Sequence, residues 1–250
     1  PGAIGYNINV PLPPGTGDEG FLYVLDNLVL PILDEFKPDL VINSAGQDNH
    51  YTDPLTNMNF TARGYAELNH RLNPDIAVLE GGYSIEGALP YVNLGIILAM
   101  AGLDYSHICE PDFDAKKLKQ SPQITDYIKK LCNNVYYRWK QKEQIAQELL
   151  KGKDYIKRQR HIYYDTDGIM EYQTQIFKVC KKCSGVSIIE SNSDIGMPIF
   201  AVTIPYDACQ SCVDEGYKTF NEADVQKYYK IYLQDRPNDV YLTKSPDLIS

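Results

Sequence analysis

The chain has 250 residues, 44% of them hydrophobic and 23% charged, with 24 Lys and Arg against 33 Asp and Glu for a net charge of −9. Such a composition is globular and supplies apolar side chain for a sizeable core, in one large domain or two smaller ones. The acidic balance opposes general attraction to phosphates and weakly disfavours nucleic acid as a partner.

No apolar run approaches the roughly 18 residues of a membrane span, the longest being "VNLGIILAMAGL" at 92–103. No basic and apolar leader opens the chain, so a cytoplasmic location is expected. The chain starts at Pro1, which fits a piece of something longer. "YNINVPL" (6–12) is β-prone and ends at "PPGTGD". Asp18 or Thr16 is then placed to cap a helix whose apolar positions Phe21, Leu25, Leu28, Ile32 and Phe36 recur at helical spacing. Pro31 inside it should bend it or remove a bond, and Lys37-Pro38 should stop it.

"DLVINSAG" (39–46) reads as a buried strand, "TARGYAELNHRL" (61–72) as a helix capped by Thr61, "DIAVLEGG" (75–82) as a second buried strand and 86–102 as a helix. Alternation of this kind implies right-handed crossovers and an α/β fold whose parallel sheet is covered on both faces. Ligands collect beyond the carboxyl ends of such strands, where Asp48 and Tyr83 fall. From Glu110 the polar "EPDFDAKKLKQSP" reads as a linker. Residues 122–160 read as a charged helix with a stripe of Ile124, Ile128, Leu131, Val135 and Trp139. The expected organisation is 1–108, then a linker and helical segment over 109–172, then a module and tail over 173–250.

Cys109 and Cys132 stand alone and read as reduced structural thiols. "CKKC" (180–183) and "CQSC" (209–212) are separated by 25 residues that include two β-prone runs, "VSIIE" and "PIFAVTIPY". Without a secretory leader, paired CxxC motifs read as metal ligands. Four thiolates fill a tetrahedral site, so Cys180, Cys183, Cys209 and Cys212 are expected to hold a structural zinc in a zinc-ribbon-like module. A redox CxxC is the alternative, disfavoured because neither pair opens a clear βαβ unit.

In "SAGQDNHYTDPL" (44–55), Asp48 and His50 suit a metal by residue type, but one Asp-x-His is also common in solvated loops. Gly81 and Gly82 equally suit a tight turn. The motifs "GYNINVPLPPGTGD", "FKPDLVINSAGQDNHYTDPL", "NFTARGY" and "VLEGGYS", in this order, together resemble the zinc-dependent histone deacetylase and acetylpolyamine amidohydrolase family over about residues 2–105. The resemblance implies the carboxyl-terminal half of an arginase–deacetylase-like α/β/α sandwich. It also implies a hydrolase that removes acetyl groups from lysine side chains or polyamines.

The same resemblance implies that Asp48 is a ligand of a catalytic zinc and that Tyr83 hydrogen-bonds the scissile carbonyl. Leu55 would line the acyl channel, Gly81 and Gly82 would shape its wall, and His50 and Asp53 would support the site without ligating. The chemistry suits these types. Bound zinc lowers the pKa of water from ~16 toward ~7, and a tyrosine hydroxyl with pKa near ~10 can donate to a developing oxyanion. The family's His-His pair and earlier Asp-x-His are absent from the chain; His70, His107 and His161 stand in other contexts. An amino-terminal half is therefore expected as a partner, and the isolated chain is expected to be inactive. A non-catalytic deacetylase-like module whose four-cysteine ribbon docks a protein is the competing reading.

Overall fold

The computed structural model describes residues 4–111 and 113–246, so the expected outer limits at 1 and 250, and Asp112 of the expected linker, lie outside the described residues. The fold is α/β. Its two compact units are Ile8–Gln141 and, in the other, Pro1–Asn7 with Lys142–Ser250. The units exchange after Gln141, inside the segment expected as 109–172.

The first unit opens without the strand expected at 6–12. Ile8, Val10 and Leu12 instead pack against the core formed by Val24, Leu28, Ile32, Ile128, Cys132 and Trp139. Helical structure then runs through α1 (Asp18–Val24), a π-helical turn (Leu25–Val29) and α2 (Leu30–Phe36). Neither expected residue caps α1. Gly17 is the cap residue, Thr16 Oγ1 donates to the Pro13 carbonyl at 2.6 Å, and the Asp18 carboxylate is taken by Thr61. Pro31 has no N–H to give, and the helix widens just ahead of it instead of breaking. It ends at Lys37 in the left-handed region, φ 52°.

Strands β1 (Ile42–Gly46) and β2 (Ile76–Glu80) pair in parallel, Ile42 opposite Ile76 and Gly46 opposite Glu80, so their carboxyl ends are level. The connection carries α3 (Ala62–Leu72), whose cap Thr61 accepts from the Gly64 N–H at 2.9 Å; α4 (Leu89–Met100) follows β2. Ala45 of β1 packs with Phe60, Ala62, Tyr65, Val92 and Ile96, which covers one sheet face. The opposite face presents Ile42, Ile76 and Val78, which are 56%, 45% and 45% exposed. The expectation of buried strands covered on both sides is thus corrected: among the described residues, the helices α3 and α4 cover only one side.

The stripe expected over 122–160 packs as α5 (Pro122–Lys140), with Ile128, Cys132 and Trp139 buried. The helix does not reach 160. After α6 (Lys142–Leu150) the chain turns at Gly152, φ 69°, into strand β3 (Tyr155–Tyr164).

In the second unit, β4 (Ile169–Lys178), β5 (Ser187–Ser193), β6 (Ile199–Ile204), β7 (Lys230–Asp235) and β8 (Val240–Lys244) extend β3 into a six-stranded sheet in sequence order. Every neighbouring pair is antiparallel except β6–β7, which is parallel and joined by α7 (Gln210–Glu222). The core is Val202, Ile204, Ile231 and Leu233 under Cys212 and Phe220. Gly216 lets the helix settle there, because a Cβ at that position would meet Ile204 Cγ1 at 2.5 Å. Among the described residues, no helix is long and apolar enough to cross a membrane.

Candidate active site and metal centre

The loops that leave β1 and β2 lie side by side. The Gln47 N–H donates to the Gly81 carbonyl at 3.2 Å, and the Tyr83 N–H donates to Asp53 Oδ2 at 2.8 Å. The other oxygen of Asp53 accepts from the Leu55 N–H at 2.9 Å, so one carboxylate clamps both loops. Asp48 is half-buried, and its carboxyl group lies against Gly81, whose Cβ, if present, would be 3.3 Å from Asp48 Cγ. Gly82 has φ +120°, and a Cβ there would come within 2.7 Å of the Gln47 Cβ. Both glycines are therefore needed for the close approach of the two loops. Tyr83 and Leu55 sit on the outer side, 54% and 68% exposed.

His50 is fully buried and works as a connector. Its Nδ1 accepts from the Thr52 N–H at 3.2 Å, which leaves Nε2–H to donate to Glu110 Oε1 at 3.1 Å. Thr52 Oγ1 lies 2.9 Å from Nδ1 and 2.6 Å from Ser84 Oγ, extending the chain of hydrogen bonds to the residue after Tyr83. Burial pushes Glu110 up, but hydrogen bonds from His50 and from backbone N–H groups, that of Ala62 among them, outweigh that and hold the carboxyl below the usual range. Asp18 moves the other way. Burial raises it despite two hydrogen bonds from Thr61, and the Glu110 charge adds to the rise. The Tyr65 hydroxyl, buried beside Asn49, is also raised, first by burial and then by the charges of Asp48 and Asp53.

Glu110, Thr52 and Ser84 were not singled out from the sequence as site residues, and Asp18 only as a helix cap. Glu110 opens the stretch expected as a linker, yet it is 4% exposed and also accepts from the Ala62 N–H at 3.4 Å. Nothing local in "CEPDF" signals a contact that spans 60 residues. Among the described residues, the only group of three or more His, Cys, Asp or Glu able to share an ion is the four-cysteine cluster, so Asp48 has no such companions.

That cluster is in the second unit. Cys180 and Cys183 lie in the β4–β5 connection, and Cys209 is the cap residue of α7 with Cys212 in its first turn. The second pair thus opens the helix of a β6–α7–β7 unit, unlike the turn of a ribbon. The topological ground against a redox pair is lost. What separates the two readings is convergence: Cys183 Sγ is 3.4 Å from Cys212 Sγ and 3.7 Å from Cys209 Sγ, with Cys180 Sγ also 3.7 Å from Cys209 Sγ. Four sulfurs at Zn–S distances of about 2.3 Å stand roughly 3.8 Å apart, so the set fits one tetrahedral ion. The Lys182 N–H pulls Cys180 down and the Cys212 N–H pulls Cys209 down to about 6, whereas burial raises Cys212. Cys132 is buried and Cys109 is exposed.

Residues 2–93 match the model of the histone deacetylase domain. A probable deacetylase of Archaeoglobus fulgidus is 57% identical over 117 residues, 43% of this chain and 33% of that protein. A histone deacetylase-like amidohydrolase of Pseudomonas aeruginosa is 31% identical over 125 residues, 46% of this chain and 32% of that protein. Among solved structures, the HDA15 HD domain aligns with a TM-score of 0.45 at 26% identity, over 60% of this chain and 40% of that one. The chain spans about a third of the length of the curated relatives it matches. Over residues 2–93, the chain is similar to the histone deacetylase family.

Proposed function

We propose that this chain supplies part of a zinc-dependent amide hydrolase acting on acetylated lysine side chains or polyamines, with Asp48 as one zinc ligand and Tyr83 as the carbonyl donor. One observation carries the reading: the Asp48 carboxyl group lies against Gly81, two residues before Tyr83, beyond the level carboxyl ends of parallel β1 and β2. Zinc held there would supply Lewis-acid polarisation of an amide carbonyl and of a water molecule. Tyr83 then donates its hydroxyl proton in a hydrogen bond to the carbonyl oxygen as negative charge gathers there. Asp53 orients Tyr83 through its backbone N–H, the Glu110–His50–Thr52–Ser84 chain braces the residue that follows, and Gly81 and Gly82 with Leu55 form the channel wall.

Zinc sites of this class need three protein ligands. The other two, and the general acid–base histidines, would come from the remaining part of the deacetylase domain, in cis or on a companion chain. The uncovered face with Ile42, Ile76 and Val78 supports this, since parallel sheets are normally buried on both faces. In the second unit, the four thiolates would hold a structural zinc.

The test is reconstitution of this chain with a deacetylase amino-terminal segment, followed by assay on acetyl-lysine peptide and acetylpolyamine. Turnover should appear only with both parts. Tyr83→Phe should keep its zinc content and lose on the order of 10²–10³ in kcat, whereas Asp48→Ala should lose the catalytic zinc. Near-wild-type kcat in Tyr83→Phe, or turnover by the chain alone, contradicts the assignment.

A further inference from the structure

The acidic balance of the whole chain conceals a segregated basic edge. Residues 151–161, "KGKDYIKRQRH", hold five Lys or Arg and one acid. Had this been helix, those charges would have been spread around an axis. As strand β3 they line the outer edge of the six-stranded sheet. Lys157 shares one face with Tyr163, and Arg158 and Arg160 share the other with Tyr164, with same-face neighbours roughly 6.7 Å apart. Lys151 and Lys153 continue the edge into a cleft of about 920 Å³, whose far wall carries Lys181 beside Cys180; Glu148 and Asp154 are its acids.

Most of these cations lack an ion-pair partner. Among the described residues, none of Lys151, Lys153, Lys157, Arg160 or Lys181 is in an ion pair, whereas Lys178 is paired with Glu215. Glu171 on β4, diagonal to Arg160 and accepting from Tyr164, Gln173 and Ser191, is the acid whose charge reaches Arg160, and Arg158 donates to Gln175 at 2.6 Å over the Phe177 ring. Aromatic rings lie among the charges: Tyr155, Tyr163, Tyr164 and Tyr172 are all exposed, Tyr163 by 61%.

Two kinds of polyanion suit such an edge. An acidic peptide would have to add as a strand, and charged side chains along an edge are what discourages strand addition. A single nucleic-acid strand needs only cations for phosphates and ring faces for bases, and both are present. We propose that the β3 edge and the adjoining cleft bind single-stranded nucleic acid, with Lys151, Lys153, Lys157, Arg158 and Arg160 on the phosphates and Tyr163 and Tyr164 stacking on bases. The proposal does not depend on the deacetylase reading, because every residue in it lies in the second unit.

Fluorescence anisotropy of the zinc-loaded full chain with labelled oligo-dT and oligo-U tests it. Binding should be measurable at about 50 mM salt and weaken steeply toward about 200 mM, with a log–log slope near −0.7 per phosphate contacted. Replacing Lys157, Arg158 and Arg160 by Glu should weaken binding at least tenfold and flatten that slope. Should the triple variant misfold, Lys151→Glu with Lys153→Glu, on an exposed turn, provides the same readout. Tyr163→Ala should cost about 5- to 100-fold with the slope unchanged. Absence of binding at low salt, equal affinity for duplex, full affinity in the charge-reversed variants, or preference for a polyglutamate peptide would overturn the proposal.

Discussion

At the scale of single residues, Glu35 offers a local pH reporter. Its carboxylate accepts from the Tyr136 hydroxyl at 2.6 Å, Trp139 Nε1 at 2.9 Å and Lys140 Nζ at 3.0 Å. These partners, Tyr136 foremost, lower its pKa to about 2. A depressed carboxylate stabilises the fold above its unfolded pKa near ~4.3, and that contribution fades as pH falls toward the folded value. Trp139 is the one tryptophan in the chain, so its emission should titrate near pH 2, and Glu35→Gln should abolish the transition. A midpoint close to an ordinary glutamate would refute the contact. Gly82 makes a second test. Gly82→Ala meets Gln47 and a positive φ together and should destabilise the first unit by about 3 kcal/mol. Gly102→Ala, also at positive φ but in open space, should cost only about 1 kcal/mol, as measured by urea unfolding.

Residues with strong local chemistry were legible in the sequence: Thr61 caps α3 as its type and position imply, and the four cysteines meet where two CxxC pairs should. Residues whose role comes from distant partners were not. Glu110 is an acid in a polar stretch until the fold presses it on His50. Asp18 has the type of a helix cap but turns its carboxylate to Thr61, 43 residues away.

At the scale of elements, hydrophobic period and punctuation located α3, α4, β1 and β2 within a few residues. They failed at 6–12, where an alternating apolar run packs on helices without pairing, and at 151–160, where the charged helix expected to continue gives way to a turn and β3. Gly152 was the neglected signal, since left-handed glycine commonly follows a helix end. Metal removal tests the cysteine-bearing elements directly. Chelation should release one zinc and unravel the α7 start and the β4–β5 connection, lowering the circular dichroism signal, while Trp139 emission in the other unit holds steady. Unchanged dichroism after complete metal loss would argue that the thiols carry no structural ion.

At the scale of the whole molecule, net charge was the least informative quantity. A value of −9 says little about a chain that collects five cations within eleven residues. The likeness of residues 2–93 to the histone deacetylase domain was readable because several motifs agreed in order. The fold of the remainder was not readable beyond two of its six strands, β5 and β6. A parallel crossover through α7 follows from which strands pair, and no short window records that.

The bare side of the β1–β2 pair has a consequence for the life of the protein in the cell. Ile42, Ile76 and Val78, in reach of water, form the kind of sticky ribbon that chaperones hold and proteases survey. Where the shield is a companion chain, a copy made in excess of it would be short-lived, and steady-state abundance would follow the supply of the shield instead of the rate of its own synthesis.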